Sequence, residues 1–137
     1  MQVREAMAKT ITTVDAEDPI TKAAEIMKQQ DTGFIPVTHN GSIEGVITDR
    51  DIVVRCLADG HDIHEHVENC MSRDIKAVDA NSSLEQAARI MSEQQVRRLA
   101  VVENDRLVGV LSHGNLVQAT GGQGPAMQAS VGITRGA

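Results

Sequence analysis

The chain has 137 residues, with 13 Lys and Arg against 19 Asp and Glu and a formal net charge of −6. That acidic balance, with no Trp, no Tyr and a single Phe, excludes the basic stripe and the aromatic platform on which nucleic acids are held. The length suits one ordinary domain or two small units with a shared core, and no apolar run approaches the roughly 18 residues of a membrane span.

The opening MQVREAM lacks the apolar stretch of a secretory signal. Cys56 and Cys70 are too few for a disulfide framework. The expectation is a cytoplasmic chain with reduced thiols, and spacing alone leaves open whether the two cysteines meet.

In chain order, Ile11–Val14 reads as a short β piece. A helix follows at Asp18-Pro19, with Pro at its first position and an apolar stripe at 20, 23, 24 and 27. Two strands, Phe34–Thr38 and Ile43–Thr48, flank the turn His39-Asn40-Gly41-Ser42, and a second helix spans about 49–58. The same series returns. Ile75–Val78 is β-rich, Ser82-x-x-Glu85 reads as a capping box, and apolar residues stand at 84, 87, 88 and 91. Strands Leu99–Glu103 and Arg106–Ser112 enclose the turn Asn104-Asp105, and a helix covers about 113–119.

The return is a duplication. A shift of 64 residues carries Val3-x-x-x-Met7 onto Val67-x-x-x-Met71, Val14-Asp15-Ala16 onto Val78-Asp79-Ala80, and Gly45-Val46 onto Gly109-Val110, with about 16 identities and no gap. Each copy is a β-α-β-β-α unit too small to bury its own helices and sheet. The expected fold is therefore α/β, two such units about a pseudo-twofold axis. Residues 1–58 form the first unit, 59–66 a polar linker, 67–120 the second unit, and 121–137 a Gly- and Ala-rich mobile tail.

Chemistry concentrates where a strand runs into a helix, Gly45-Val-Ile-Thr48-Asp49-Arg50-Asp51. Thr48 and Asp51 have capping-box spacing. The same spacing suits ligand binding: a helix start offers free N–H groups and a positive dipole end, and a carboxylate there can accept both hydroxyls of a ribose diol.

The gapless duplication, the Ile35-Pro36-Val37 strand and Gly45-Val-Ile-Thr48-x-x-Asp51 together resemble a tandem pair of CBS domains, a Bateman module, over residues 3–119. The resemblance implies a non-catalytic regulatory module that binds AMP, ADP or ATP, or NAD or S-adenosylmethionine, in the cleft between its copies. It further implies a disc-like homodimer and an effector protein. On that basis Thr48 and Asp51 hold the ribose, while Lys76, Arg97 and Arg98 of the other copy, with Arg50, face phosphate, which suits guanidinium geometry. The equivalent stretch of copy two places Asn115 where Asp would stand, so Thr12, Ser112 and Asn115 form a weaker second site. Adenine would lie against aliphatic walls such as Ile11, Ile75, Ile47 and Leu111.

His61, His64 and His66 are ligand types for zinc, although their spacing matches no fixed site and a solvated polar linker is the better explanation. No Ser/His/Asp or Cys/His arrangement can be assembled from spacing, so no catalysis and no required cofactor are expected. Two other readings compete with nucleotide sensing: a ligand-free oligomerisation or docking module, and a metal-responsive module using the three histidines.

Overall fold

Each copy of the repeat builds one three-stranded sheet, with its second and third strands joined by the tight turn the sequence signals. The computed structural model describes residues 1–121 and Gly124, so the Gly- and Ala-rich tail lies almost wholly outside the described residues. A short helix α1 (Val3–Ala6) comes first. The first sheet has the order β1 (Val14–Asp15), β2 (Phe34–His39), β3 (Ser42–Thr48). β1 runs parallel to β2, with α2 (Ile20–Gln30) between them in the chain, and β2 pairs antiparallel with β3. Asn40 and Gly41, both at positive φ, close the hairpin. After β3 the chain turns into α3 (Asp49–Asp51), which widens at once into a π-helical stretch, Ile52–Leu57.

Copy two repeats this plan with β4 (Ala77–Asp79), α4 (Leu84–Gln94), β5 (Arg98–Glu103), β6 (Arg106–Ser112) and α5 (His113–Thr120). The register is the same: Ile35 faces Ile47 and Leu99 faces Leu111, with a shift in pairing at Val37/Thr38 and at Val101/Val102. α5 is regular where its counterpart is π-helical.

Several local details differ from the sequence reading. The first β pieces begin later, at Val14 and Ala77. Pro19 is the N-cap and not the first helical residue. The box before α4 is Ser83 with Gln86, one residue beyond Ser82 and Glu85; the start is set by Leu84, which must face the core. Ala88 is fully buried, but its counterpart Ala24 is exposed.

The compact units are offset from the sequence copies. One is contiguous, Thr12–Ile75; the other combines Met1–Ile11 with the chain from Lys76 onward. In the combined unit Val3 is fully buried with Leu84, Met91, Leu111 and Leu116. Its amide donates to the Ser82 carbonyl at 2.8 Å, and Ala8 bridges to Val110. The Arg4 guanidinium reaches Asn81 and Glu103. In the contiguous unit the equivalent segment does the same work: Val67 donates to Asp18 at 2.8 Å, Glu68 to Ala16 at 3.0 Å, and Ser72 bridges to Val46. Each copy is thus completed by the segment that opens the other. The paired glycines explain how. A Cβ on Gly45 would lie 2.5 Å from the Ser72 carbonyl oxygen, and one on Gly109 would lie 2.9 Å from the Ala8 carbonyl oxygen. Only Gly lets the incoming backbone approach the strand this closely.

Candidate functional site

Thr48 leaves β3 in extended conformation, so its side chain turns over the first turn of α3. The Asp51 amide donates to Thr48 Oγ1 at 3.1 Å, and the Thr48 amide donates to Asp51 Oδ2 at 3.0 Å. This is a reciprocal capping box with Asp in place of the usual Glu or Gln. The remaining donors of the turn are also taken. The Asp49 amide donates to the Gly33 carbonyl at 3.0 Å and the Arg50 amide to Asp49 Oδ1 at 2.8 Å. The expectation of free N–H groups here is therefore corrected: the first three amides are satisfied from within, and the turn presents acceptor oxygens instead.

Asp51 is largely sheltered, its side chain 13% exposed. Its other carboxylate oxygen, Oδ1, faces Arg55 Nε at 3.7 Å, and Arg55 Nη1 donates to the Met71 carbonyl at 3.2 Å. Arg55 did not emerge from the sequence as a site residue, although its position four residues after Asp51 was a usable signal. The two cysteines, Cys56 on the π-helical stretch and Cys70, are both buried and both free thiols. Burial, aided by a hydrogen bond to Cys56, pushes the Cys70 thiol up to about 11. Arg50 is exposed.

Copy two builds the same turn with different chemistry. The Asn115 amide donates to Ser112 Oγ at 3.0 Å and the Ser112 amide to Asn115 Oδ1 at 2.8 Å. The His113 amide donates to the Arg97 carbonyl at 2.7 Å, which sets the start of β5 beside the start of α5. Arg98 pairs with Ser112 across β5 and β6, and the Lys76 carbonyl accepts from Ala100 at 3.0 Å. Lys76, Arg97, Arg98, Ser112 and Asn115 thus gather in the combined unit, while Thr12, Thr48, Arg50 and Asp51 belong to the contiguous one. Thr12 is engaged, its Oγ1 donating to Gln30 at 2.8 Å. Ile47 and Leu111 cannot serve as adenine walls, since both are fully buried core residues. Ile11 and Ile75 are half-buried.

The His61 and His66 rings lie against separate carboxylates. His61 Nδ1 lies 2.6 Å from Glu65 and His66 Nδ1 3.8 Å from Glu68, while the His64 amide donates to Asp62 at 2.7 Å. Among the described residues no cluster of three or more His, Cys, Asp or Glu could hold a metal ion. His39 pairs with Asp15 at 3.3 Å. That hydrogen bond raises the His39 pKa, and the Glu17 amide and His39 together lower that of Asp15. No described helix is long and apolar enough to cross a membrane.

Comparison with known proteins adds the family. The CBS domain model matches residues 3–57 and again 67–122. The CBS domain-containing protein YhcV of Bacillus subtilis is 39% identical over 114 residues, 83% of this chain and 81% of the relative. Hypoxic response protein 1 of Mycobacterium tuberculosis is 35% identical over 117 residues, 84% of this chain and 82% of the relative. The crystal structure of Hypoxic Response Protein I, with two coordinated zinc ions, matches at a TM-score of 0.77 and 34% identity, covering 87% of this chain and 98% of that one. The crystal structure of CBSX2 in complex with AMP matches at 0.76 and 26% identity, covering 86% and 94%.

Proposed function

Because the chain belongs to the CBS domain family and carries the domain twice, we propose that it is a non-catalytic, cytoplasmic regulatory module that binds an adenosine-containing ligand, AMP, ADP or ATP, and signals its presence to an effector protein. Thr48 and Asp51 take the ribose diol. Lys76, Arg97 and Arg98, with Arg50, meet the phosphates, and Thr12, Ser112 and Asn115 form the weaker second site. No bound cofactor is required. The ligand acts by its difference in affinity between two arrangements of the module.

The observation that carries this reading is the comparison of the two capping boxes. Asn115 accepts the Ser112 amide at 2.8 Å, and Asp51 accepts the Thr48 amide at 3.0 Å. An amide oxygen therefore serves the cap as well as a carboxylate does. The cap does not need the charge and second oxygen of Asp51, and a carboxylate offers a diol two strong acceptors where Asn offers one. The AMP complex of CBSX2 supports the choice of ligand class.

A second copy of the chain is the proposed structural partner, since Val53 and Leu57 on the π-helical stretch are 57% and 56% exposed. Large apolar side chains grouped on one helical face favour burial against another surface.

The test is a thermal-shift panel of AMP, ADP, ATP, NAD and S-adenosylmethionine on the wild type and Asp51→Asn. A ligand at one hundred times its dissociation constant stabilises by about 2.7 kcal/mol, which raises the melting temperature by about 8 °C. The expected result is such a shift with one adenine nucleotide, lost in Asp51→Asn, while the unliganded variant melts with the wild type. No shift with any of them at millimolar concentration overturns the reading in favour of a ligand-free docking module.

A further inference from the structure

The side chain of Arg55 makes two contacts: an ion pair with Asp51, Nε 3.7 Å from Oδ1, and a hydrogen bond donated by Nη1 to the Met71 carbonyl at 3.2 Å. Stability does not account for it. The Arg55 side chain is 53% exposed, and an ion pair four residues apart with one member open to solvent is screened to a few tenths of a kcal/mol. Nor does the cap require it, because Thr48 holds Asp51 through Oδ2 alone.

The duplication supplies an internal control. In copy two Ala119 stands where Arg55 does, Asn115 where Asp51 does, and α5 is regular over His113–Thr120. In copy one the helix widens over Ile52–Leu57, the turn that carries Arg55. The carboxylate, the guanidinium and the widened turn occur together in one copy and are absent together from the other. π-Helical insertions of this sort are frequent at functional sites.

Resting on the ribose-binding reading of Thr48 and Asp51, we infer that Arg55 is the positioning residue of that site: anchored on the Met71 carbonyl, it orients Asp51 Oδ1 so that both oxygens of the carboxylate are directed at a vicinal diol. Thr48 fixes one oxygen and Arg55 steers the other. A planar guanidinium can address the carboxylate and the carbonyl through two nitrogens at once, which a single ammonium cannot do. The residue therefore determines selectivity for ribose over deoxyribose and contributes little to holding the phosphates.

The test measures dissociation constants for AMP, ADP and ATP and for their 2′-deoxy counterparts, by calorimetry, on the wild type, Arg55→Gln, Arg55→Lys and Asp51→Asn. Unliganded melting is recorded for each. The wild type should prefer the ribonucleotide. Arg55→Gln should weaken the ribonucleotide about tenfold, the worth of one hydrogen bond to a charged group, and barely change the deoxynucleotide, so that its ratio falls to that of Asp51→Asn. Arg55→Lys, which keeps the charge and folds even if the Gln variant does not, should restore the ratio only in part. Equal weakening of both nucleotides, or full rescue by Lys, overturns the inference and makes Arg55 a source of charge alone. An unchanged ratio in Arg55→Gln also overturns it, while leaving the ribose site standing. A wild type that binds none of the six overturns the underlying reading, and the inference with it.

Discussion

The Val46 amide donates to the Ser72 carbonyl at 2.9 Å, and the Ser72 amide returns a bond to the Val46 carbonyl at 2.8 Å. This closed pair stitches the segment after the linker onto the middle of β3, and Gly45 beside it clears the way. Gly45→Ala should therefore destabilise the chain by about 1–3 kcal/mol, the range for forcing extra atoms into a packed site, and Gly109→Ala should do the same against the Ala8 carbonyl. Urea titrations check both. A glycine replaced without loss would mean that the segment does not lie as close as described.

Thr48→Ala and Ser112→Ala each remove the side-chain acceptor of a helix cap, and each should cost about 1 kcal/mol. Their effects should part company in the presence of nucleotide. Thr48→Ala also weakens binding, whereas Ser112→Ala leaves the stronger site intact. Chemical denaturation with and without ligand separates the two contributions.

Cys56 and Cys70 should behave as inert thiols. Both are buried, and the Cys70 thiol titrates near 11, chiefly because burial disfavours its thiolate. Since the thiolate is the reactive form, a disulfide-exchange dye at about pH 8 should label the native protein only slowly, then label both positions after denaturant is added. Rapid labelling without denaturant would contradict the burial of the pair.

His39 and Asp15 give the stability of the contiguous unit a pH dependence of definite sign. His39 has its pKa raised above 6.5 by the hydrogen bond to Asp15, so its contribution is complete below 6.5 and fades as pH rises through the raised value. Asp15 has its pKa lowered from 3.8, first by the Glu17 amide; its contribution is complete above 3.8 and fades as pH falls through the lowered value. His39→Gln should accordingly be less stable than the wild type at about pH 5 and indistinguishable from it at about pH 9. Equal stability at both would remove the pair from the account.

Val53→Glu combined with Leu57→Glu places two charges on the apolar face of the π-helical stretch. Sedimentation should show the wild type as a dimer and this variant as a monomer that still unfolds cooperatively, at a lower melting temperature because the second copy no longer stabilises it. A monomeric wild type would remove the second copy as the partner of that face.

Much of the site could be read from local spacing. A Thr three residues before an Asp is enough to write the box at Thr48 and Asp51, because both partners lie within one turn. The hairpins likewise follow from Asn40-Gly41 and Asn104-Asp105. The cap before α4 was ambiguous for a definite reason: Ser82 with Glu85 and Ser83 with Gln86 both fit the pattern, and only the burial of Leu84 chooses between them. What could not be read was nonlocal. That Arg55 ends on the Met71 carbonyl depends on the path of a separate segment. The exchange of opening segments was hidden for the same cause, since the repeat invites one to fold each copy on itself. The glycines at 45 and 109 were visible in the repeat, but as identities without a reason.

Arg4 and its partner Glu103 are 99 residues apart, and between them lies the whole of the unit Thr12–Ile75. On the ribosome, residues 1–11 are made before anything they will pack against. Chains fold as they emerge, units nearer the N-terminus first, so the inserted unit can close while Val3 and Met7 still wait in water for α4 and β6 to be synthesised. The first residues of this stretch are thus among the last to settle, and a nascent chain halted before β6 should hold one finished unit and one apolar stub, a natural target for chaperones.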